Sequence, residues 1–389
     1  MNQAICPLEK CTGCGACMAV CPKHCIELKP NPQGHLFPAI DKKACVNCHL
    51  CRSTCPVNTP VELRQPQACY AGWSRDEKDR ITSSSGAASS VFARHIISRG
   101  GTVYGAVLQD NQVRHIRVHR PEELVRLKGS KYVYSYAADV YAQIKQDVKA
   151  GKQVLFIGTP CQNAAVCNVV GQAPNLTLIN LICHGTPSLQ MLTDHLKAKK
   201  ITQIHNIQFR NNSNIYDFVC NNYRALDSVW PDCYVNLFLQ GLSYRPVCYQ
   251  CVYAKSQRVG DITIGDFWKL GQTIPFSGGD VAKGCSVILV NTDKGKQLVD
   301  ECREKLQLFP REYAEAVAGN AQLRRPVTYT NTARLFNKWY PRLSFEKAAW
   351  LAASSLLLLA TLKRIFTLYA PKCFQRWGLA LYVHLKKQK

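Results

Sequence analysis

At 389 residues the chain is too long for one ordinary domain and predicts a small module beside a larger one; its 49 lysines and arginines against 26 acids give a formal charge of +23. Residues 1 to 10 hold Glu9 and Lys10 with no apolar run, so no secretory signal is expected, and the 21 cysteines are read as free thiols in a reducing cytoplasm, not as a secreted disulfide scaffold. The basic surplus suits an acidic redox partner or an anionic membrane, whereas nucleic acid finds no motif or basic-aromatic stripe in its support.

One cysteine spacing occurs twice near the start: Cys11, Cys14, Cys17 and Cys21 ahead of Pro22, then Cys45, Cys48, Cys51 and Cys55 ahead of Pro56. In each run three thiolates can wrap a 4Fe-4S cubane, and the fourth lies too far along the chain to close the same cage. It serves the cluster of the other run, as in two-cluster bacterial ferredoxins. Cys11, Cys14, Cys17 and Cys55 are thus assigned to one cluster, and Cys45, Cys48, Cys51 and Cys21 to the other. Paired zinc sites would want separated C-x2-4-C pairs, and cysteines three apart in a tight loop make poor disulfides. Residues 1–60 are expected to be a two-cluster ferredoxin-like module that carries electrons.

Val57 to Pro66 reads as a linker. From 67 to 330 strand and helix signals alternate, which predicts a larger α/β domain. Strands are expected at 69–74, 101–108 and 112–119, with helices over 87–98, 121–129 and 139–150. The turn containing Ser83, Ser84, Ser85 and Gly86 would offer hydroxyls, amides and a helix dipole to a pyrophosphate, although a capped helix start reads the same way. Ser130, Lys131 and Tyr132 would add a cation for phosphate and an aromatic ring for stacking; a surface loop accounts for them equally. A flavin would suit such a site, because it trades single electrons from clusters for a hydride.

Gln153 to Gly158 and Asn175 to Ile182 are the most legible strands. Thr159 and Pro160 cap a helix from Cys161, and Thr186-Pro187 repeats the signal before a helix over 188–199. Strand, helix, strand of this length implies a right-handed crossover and a parallel pair. Cys161 and Cys183 then come to the sheet edge where open α/β folds bind ligands. With Cys248 and Cys251 they make the best set for a third 4Fe-4S cluster; zinc and ordinary buried thiols stay open. Strands at 261–267 and 285–291 and a helix over 294–306 follow, and beyond 330 the rhythm stops.

SSSG at 83–86, GSKY at 129–132, GTPCQ at 158–162, CHG at 183–185, the Cys248/Cys251 pair, GDFW at 265–268 and KGCSVILVNT at 283–292 occur in that order. Over roughly residues 67 to 310 this resembles the family of coenzyme F420 hydrogenase/dehydrogenase beta subunits, with the ferredoxin unit fused in front. The resemblance implies an FAD-bearing domain, with Cys161, Cys183, Cys248 and Cys251 as ligands of its own cluster. It also implies flavin contacts from Ser83 to Gly86 and from Ser130 to Tyr132. Two departures bear on the substrate. Asn211 to Ile215 replaces a charged pair and Gly-Trp, and Lys269 stands where glycine usually follows the Asp-Phe-Trp run.

Residues 331–389 are expected to be a basic, apolar helical tail. Ala348 to Leu362 is apolar but short of the ~20 residues that span a bilayer. It would lie on an anionic membrane surface, or dock on the body or on a second copy. Two functions fit the whole. One is an oxidoreductase that passes electrons from a soluble ferredoxin through clusters and FAD to a small-molecule hydride acceptor, F420-type or linked to surface polysaccharide, or runs in the reverse direction. The other is an electron-transfer protein that feeds a separate catalytic subunit. No catalytic residue can be named; His184, Lys131, Asp266 and Lys269 are candidates.

Overall fold

The computed structural model describes residues 4–210 and 217–369. The Asn211–Ile215 departure, Cys373 and the end of the tail lie outside the described residues.

In the first module an antiparallel hairpin, β1 (Ile26–Pro30) and β2 (Leu36–Ile40), sets Ile26 opposite Ile40. Two one-turn helices, Ala16–Ala19 and Leu50–Ser53, each carry the third cysteine of a run. A residue in the left-handed region starts each helix: Gly15 at φ 80° and His49 at φ 61°. The repeated spacing thus becomes a repeated turn-and-helix.

Behind it stands a mixed sheet whose strands are β3 (Ala68–Ser74), β4 (Thr102–Gln109), β5 (Gln112–Val118), β6 (Val154–Gly158), β7 (Leu176–Leu181), β11 (Ile262–Asp266), β12 (Ser286–Val290) and β13 (Leu306–Pro310). The spatial order is β13-β3-β12-β11-β7-β6-β4-β5. The central four, β11, β7, β6 and β4, run parallel, and antiparallel strands close both sides. Side chains alternate across it with the two-residue period of a strand. Val103, Leu155 and Ile179 enter one core with helices Ala88–Ser98 and Asp293–Glu301. Their neighbours Tyr104, Phe156 and Leu178 enter another with helices Ala138–Lys149 and Pro160–Val170. Buried on both faces, the central strands need the near-continuous apolar runs they have.

A minor sheet of β8 (Ile207–Gln208), β9 (Val219–Cys220) and β10 (Tyr223–Arg224) adjoins a third core. There helices Leu189–Ala198, Cys233–Leu239, Asn331–Trp339 and Phe345–Tyr369 pack together. The long last helix buries Phe345, Ala348, Ala349, Ala353 and Leu357 and exposes Leu351, Leu358, Leu362, Ile365 and Phe366. It is kinked at Ala353, whose φ is −127°.

Local differences from the expected elements have simple causes. Pro121–Leu127 winds as a 3-10 helix. The helix expected over 294–306 ends at Glu301, after which a 3-10 turn feeds β13. Ser188, not Thr186, caps the helix after β7, its hydroxyl accepting the Met191 amide at 3.2 Å. Thr159 does cap its helix, in a reciprocal box with Gln162.

Candidate electron-transfer centre

The tight loops and helix starts of the first module frame two cavities. Cys11, Cys14, Cys17 and Cys55 line one, together with Cys6. Cys21, Cys45, Cys48 and Cys51 line the other, together with Cys25. The crossed grouping expected from the spacing is therefore the grouping in space. A hydrogen bond with Cys6 pulls Cys11 down to about 6 and Cys55 down to about 7, toward the thiolate that binds metal. Among the described residues no three His, Cys, Asp or Glu side chains converge closely enough to share a single ion. These thiols instead surround cavities, which is the donor arrangement a cubane needs.

The parallel pair β6 and β7 carries Cys161 and Cys183 to one edge, as the crossover requires. Cys183 lies within electrostatic reach of Cys248, Cys161 and Cys251. Burial first, and these neighbours second, push Cys183 well up; Cys161 is pushed to about 11 and Cys248 to about 12. Four thiols so disposed can ionise together only around a cationic centre. Their chemistry therefore fits an iron-sulfur cluster, and Cys161, Cys183, Cys248 and Cys251 would hold it.

This third set adjoins the first cavity. Cys14 and Cys161 feel each other's charge, and Tyr134, Tyr141 and Tyr253 lie within reach of both. Tyr134 donates to the Gly13 carbonyl at 2.6 Å and Tyr141 to the Cys14 carbonyl at 2.8 Å, so the α/β body grips the ferredoxin loop directly.

The two segments considered for flavin also meet. The Ser130 amide donates to Ser84 Oγ at 2.8 Å. Lys128 clamps the turn from outside, with Nζ 2.7 Å from Thr82 Oγ1 and 2.6 Å from Asp79 Oδ1. Ser83 donates to the Asp79 carbonyl and Ser85 to the Cys285 carbonyl, while the Gly86 amide donates to Ser286 Oγ. Lys131 turns Nζ back onto the Leu127 and Lys128 carbonyls, and desolvation draws it down to about 8. Tyr132 stacks on Phe238 with centroids 4.1 Å apart, so one ring face is already covered.

Arg210 and Asp266 complete this corner, and Arg210 escaped the reading of the sequence. Its guanidinium makes a bidentate pair with Asp266 at 2.7 and 2.9 Å and bonds the Ser84 carbonyl. It also reaches Tyr132 Oη at 3.5 Å and lies 5.6 Å from the Trp268 ring centroid. An isolated arginine carries no local pattern; the only cue was its place directly ahead of the Asn211 to Ile215 departure. His184, next to Cys183, lies within reach of both Asp266 and Arg210, so the third thiol set and this corner are contiguous. Lys269 takes the left-handed conformation, φ 63°, where glycine was expected.

Residues 151–315 match the family formed by the C terminus of the coenzyme F420 hydrogenase/dehydrogenase beta subunit, and residues 10–59 match the 4Fe-4S dicluster domain. Over 218 residues the chain is 23% identical to a subunit of the F(420)H(2) dehydrogenase of Methanosarcina mazei, covering 52% of this chain and 62% of that one. Over 50 residues it is 42% identical to an uncharacterized ferredoxin of Methanocaldococcus jannaschii, covering 13% and 64%. The chain thus spans less than two thirds of either relative. A chain in the F420-reducing [NiFe] hydrogenase complex from Methanosarcina barkeri aligns at 15% identity and a TM-score of 0.46, covering 66% of this chain and 91% of that one. With a match to the 4Fe-4S dicluster domain in front and to the C terminus of coenzyme F420 hydrogenase/dehydrogenase beta subunits behind it, the chain is a beta-subunit-like electron-transfer protein with iron-sulfur clusters.

Proposed function

We propose that the chain is a cytoplasmic flavin-dependent oxidoreductase with three 4Fe-4S clusters. Electrons from a soluble ferredoxin-type donor enter at Cys21, Cys45, Cys48 and Cys51. They pass by way of Cys11, Cys14, Cys17 and Cys55 to the thiolates of Cys161, Cys183, Cys248 and Cys251. FAD would be held where Ser84, Ser130, Arg210 and Asp266 meet, and would supply hydride transfer to an organic acceptor. The observation that carries this reading is contiguity: Cys14 beside Cys161, and Cys183 beside His184 at the Arg210–Asp266 pair. FAD would supply the change from one-electron to two-electron chemistry. Arg210 would offer its charge to the cofactor or acceptor while Asp266 holds the guanidinium plane in place.

Anaerobic purification with iron, sulfide and flavin analysis tests this. About twelve irons per chain, from three four-iron clusters, and one FAD are expected. A colourless protein, or zinc in place of iron, would remove the redox reading altogether. Loaded protein that turns over no acceptor with reduced viologen would favour the other reading, an electron-transfer protein serving a catalytic partner. The name of the Methanosarcina mazei relative, one subunit of a dehydrogenase, speaks for that second reading.

We also propose peripheral contact with an anionic membrane. Phe345–Phe366 is long and apolar enough to cross a bilayer by length and composition. Its buried face is nevertheless already packed on the body, which leaves the leucine face to lie on a surface.

A further inference from the structure

Arg245 is among the largest fully buried side chains, at 2% exposure, and among the described residues its guanidinium meets carbonyls and a thiol with no carboxylate. A buried charge without an opposite charge is normally costly, so what surrounds it is informative. Nε donates to the Cys11 carbonyl at 2.8 Å, and Nη2 donates to the Leu36 carbonyl at 2.8 Å and faces Cys11 Sγ at 3.7 Å. The Phe37 ring lies beneath the guanidinium, 4.2 Å from centroid to Cζ. Nη1 is buried with no hydrogen-bond partner. It sits where only glycine fits: a Cβ at Gly13 would lie 2.8 Å from it. The nearby His35 is held neutral, pushed down to about 3 by burial and then by the Arg245 charge, and its Nε2 also lacks a partner.

The main chain of the same residue belongs to the other thiol set. The Arg245 amide donates to Thr186, and its carbonyl accepts the Cys248 amide at 2.9 Å. Its charge is also felt at Cys161 and Cys248. One residue therefore joins both inner ligand sets, the backbone serving one and the guanidinium the other.

We propose that Arg245 is the fixed counter-charge of the two inner clusters, a positioning residue that raises their reduction potentials above that of the outer cluster and so draws electrons inward. A four-thiolate cubane is anionic and gains one more negative charge when it accepts an electron. A desolvated cation beside it therefore favours the reduced form. Cations line the outer cavity too, but Lys23 there is exposed and Arg52 only half-buried, so water screens their charge far more than that of the fully buried Arg245. This inference rests on the proposed cluster loading, and iron content separates failure of that loading from failure of the inference.

The test is a reductive titration of the anaerobic full-length protein followed by EPR, with iron counted in the same samples. In Arg245→Gln with full iron, the inner signals should need at least a tenfold higher ratio of reductant to oxidant, about 59 mV for a one-electron couple. The outer signal should stay in place. Full iron with unmoved inner signals overturns the proposal. Should Arg245→Gln lose iron, Arg245→Lys decides. Wild-type iron and potentials in the lysine variant support a role for charge, because lysine cannot reproduce the forked hydrogen bonds. Iron loss in both variants makes the residue structural and overturns the proposal.

Discussion

Cys161 sits where a strand ends and a capped helix begins, and that position separates ligand chemistry from ordinary burial. If its thiolate closes the third set, Cys161→Ala should lower iron from about twelve to about eight per chain while the two ferredoxin clusters keep their EPR signals. Cys302→Ala, at a cysteine that is fully buried where Cys161 is only half-buried and that lines neither ferredoxin cavity, should keep all the iron. Equal iron in wild type and Cys161→Ala would remove this residue from the ligand set. Lys269 offers a second single-residue test. A non-glycine residue at φ 63° costs about 1–2 kcal/mol, more than the ~0.5–1 kcal/mol that glycine loses in entropy on folding. Lys269→Gly should therefore raise thermal stability slightly, by up to about 1 kcal/mol. A lowered melting midpoint would show that the lysine side chain makes a contact worth more than its backbone strain.

At the scale of elements, a buried histidine adds an ionic clamp to the apolar packing of the last helix on the body. His195, fully buried, has Asp232 at 2.9 Å on Nε2 and Glu346 of that helix at 2.6 Å on Nδ1. Burial disfavours its cation, but the two carboxylates prevail and raise it to about 9. A raised histidine stabilises fully below its unfolded value near 6.5, and that contribution disappears as pH rises through 9. Asp232 and Glu346 are lowered by the same contacts despite burial, so their contribution fades only as pH falls through the carboxylate range. The shift corresponds to roughly 3 kcal/mol, so the stability difference between wild type and His195→Gln should shrink by about that much between pH 6.5 and 9.5. Denaturant melts across this range measure it; a constant difference would mean that His195 is neutral throughout. This clamp was not visible in the sequence, because its three members lie far apart and none sits in a motif. The parallel strands were legible because their apolar runs are bounded by turn residues and caps. β13 was not, since LQLFP alternates poorly and is made a strand by pairing with β3, far away in the chain. The same contrast divides the site. Local spacing marked every ferredoxin cysteine, whereas Arg210 and Asp266 meet only through tertiary structure.

For the whole molecule, charge and apolar surface converge at one end of the chain. Leu351, Leu358, Leu362, Ile365 and Phe366 are all more than a third exposed along one helix. The sequence from Ile365 to Lys389 contains basic residues and no acid. Exposed leucines on a soluble surface bring nothing favourable in water, but each buried in a lipid interface is worth about 1.5–3 kcal/mol, and nearby cations add attraction to anionic headgroups. A surface that uses both terms should bind vesicles containing phosphatidylserine and release them partly at high salt. Replacing Leu351, Leu358 and Leu362 together by glutamine removes only the apolar term, and these side chains contribute little to the packed core, so the fold should survive. Co-sedimentation of the triple variant with such vesicles should fall at least tenfold below wild type, while iron content stays the same. If wild type and variant pellet alike, lipid is not what covers this face. Loss of a wild-type dimer in the triple variant, measured by sedimentation velocity, would then identify a second copy of the chain as its cover.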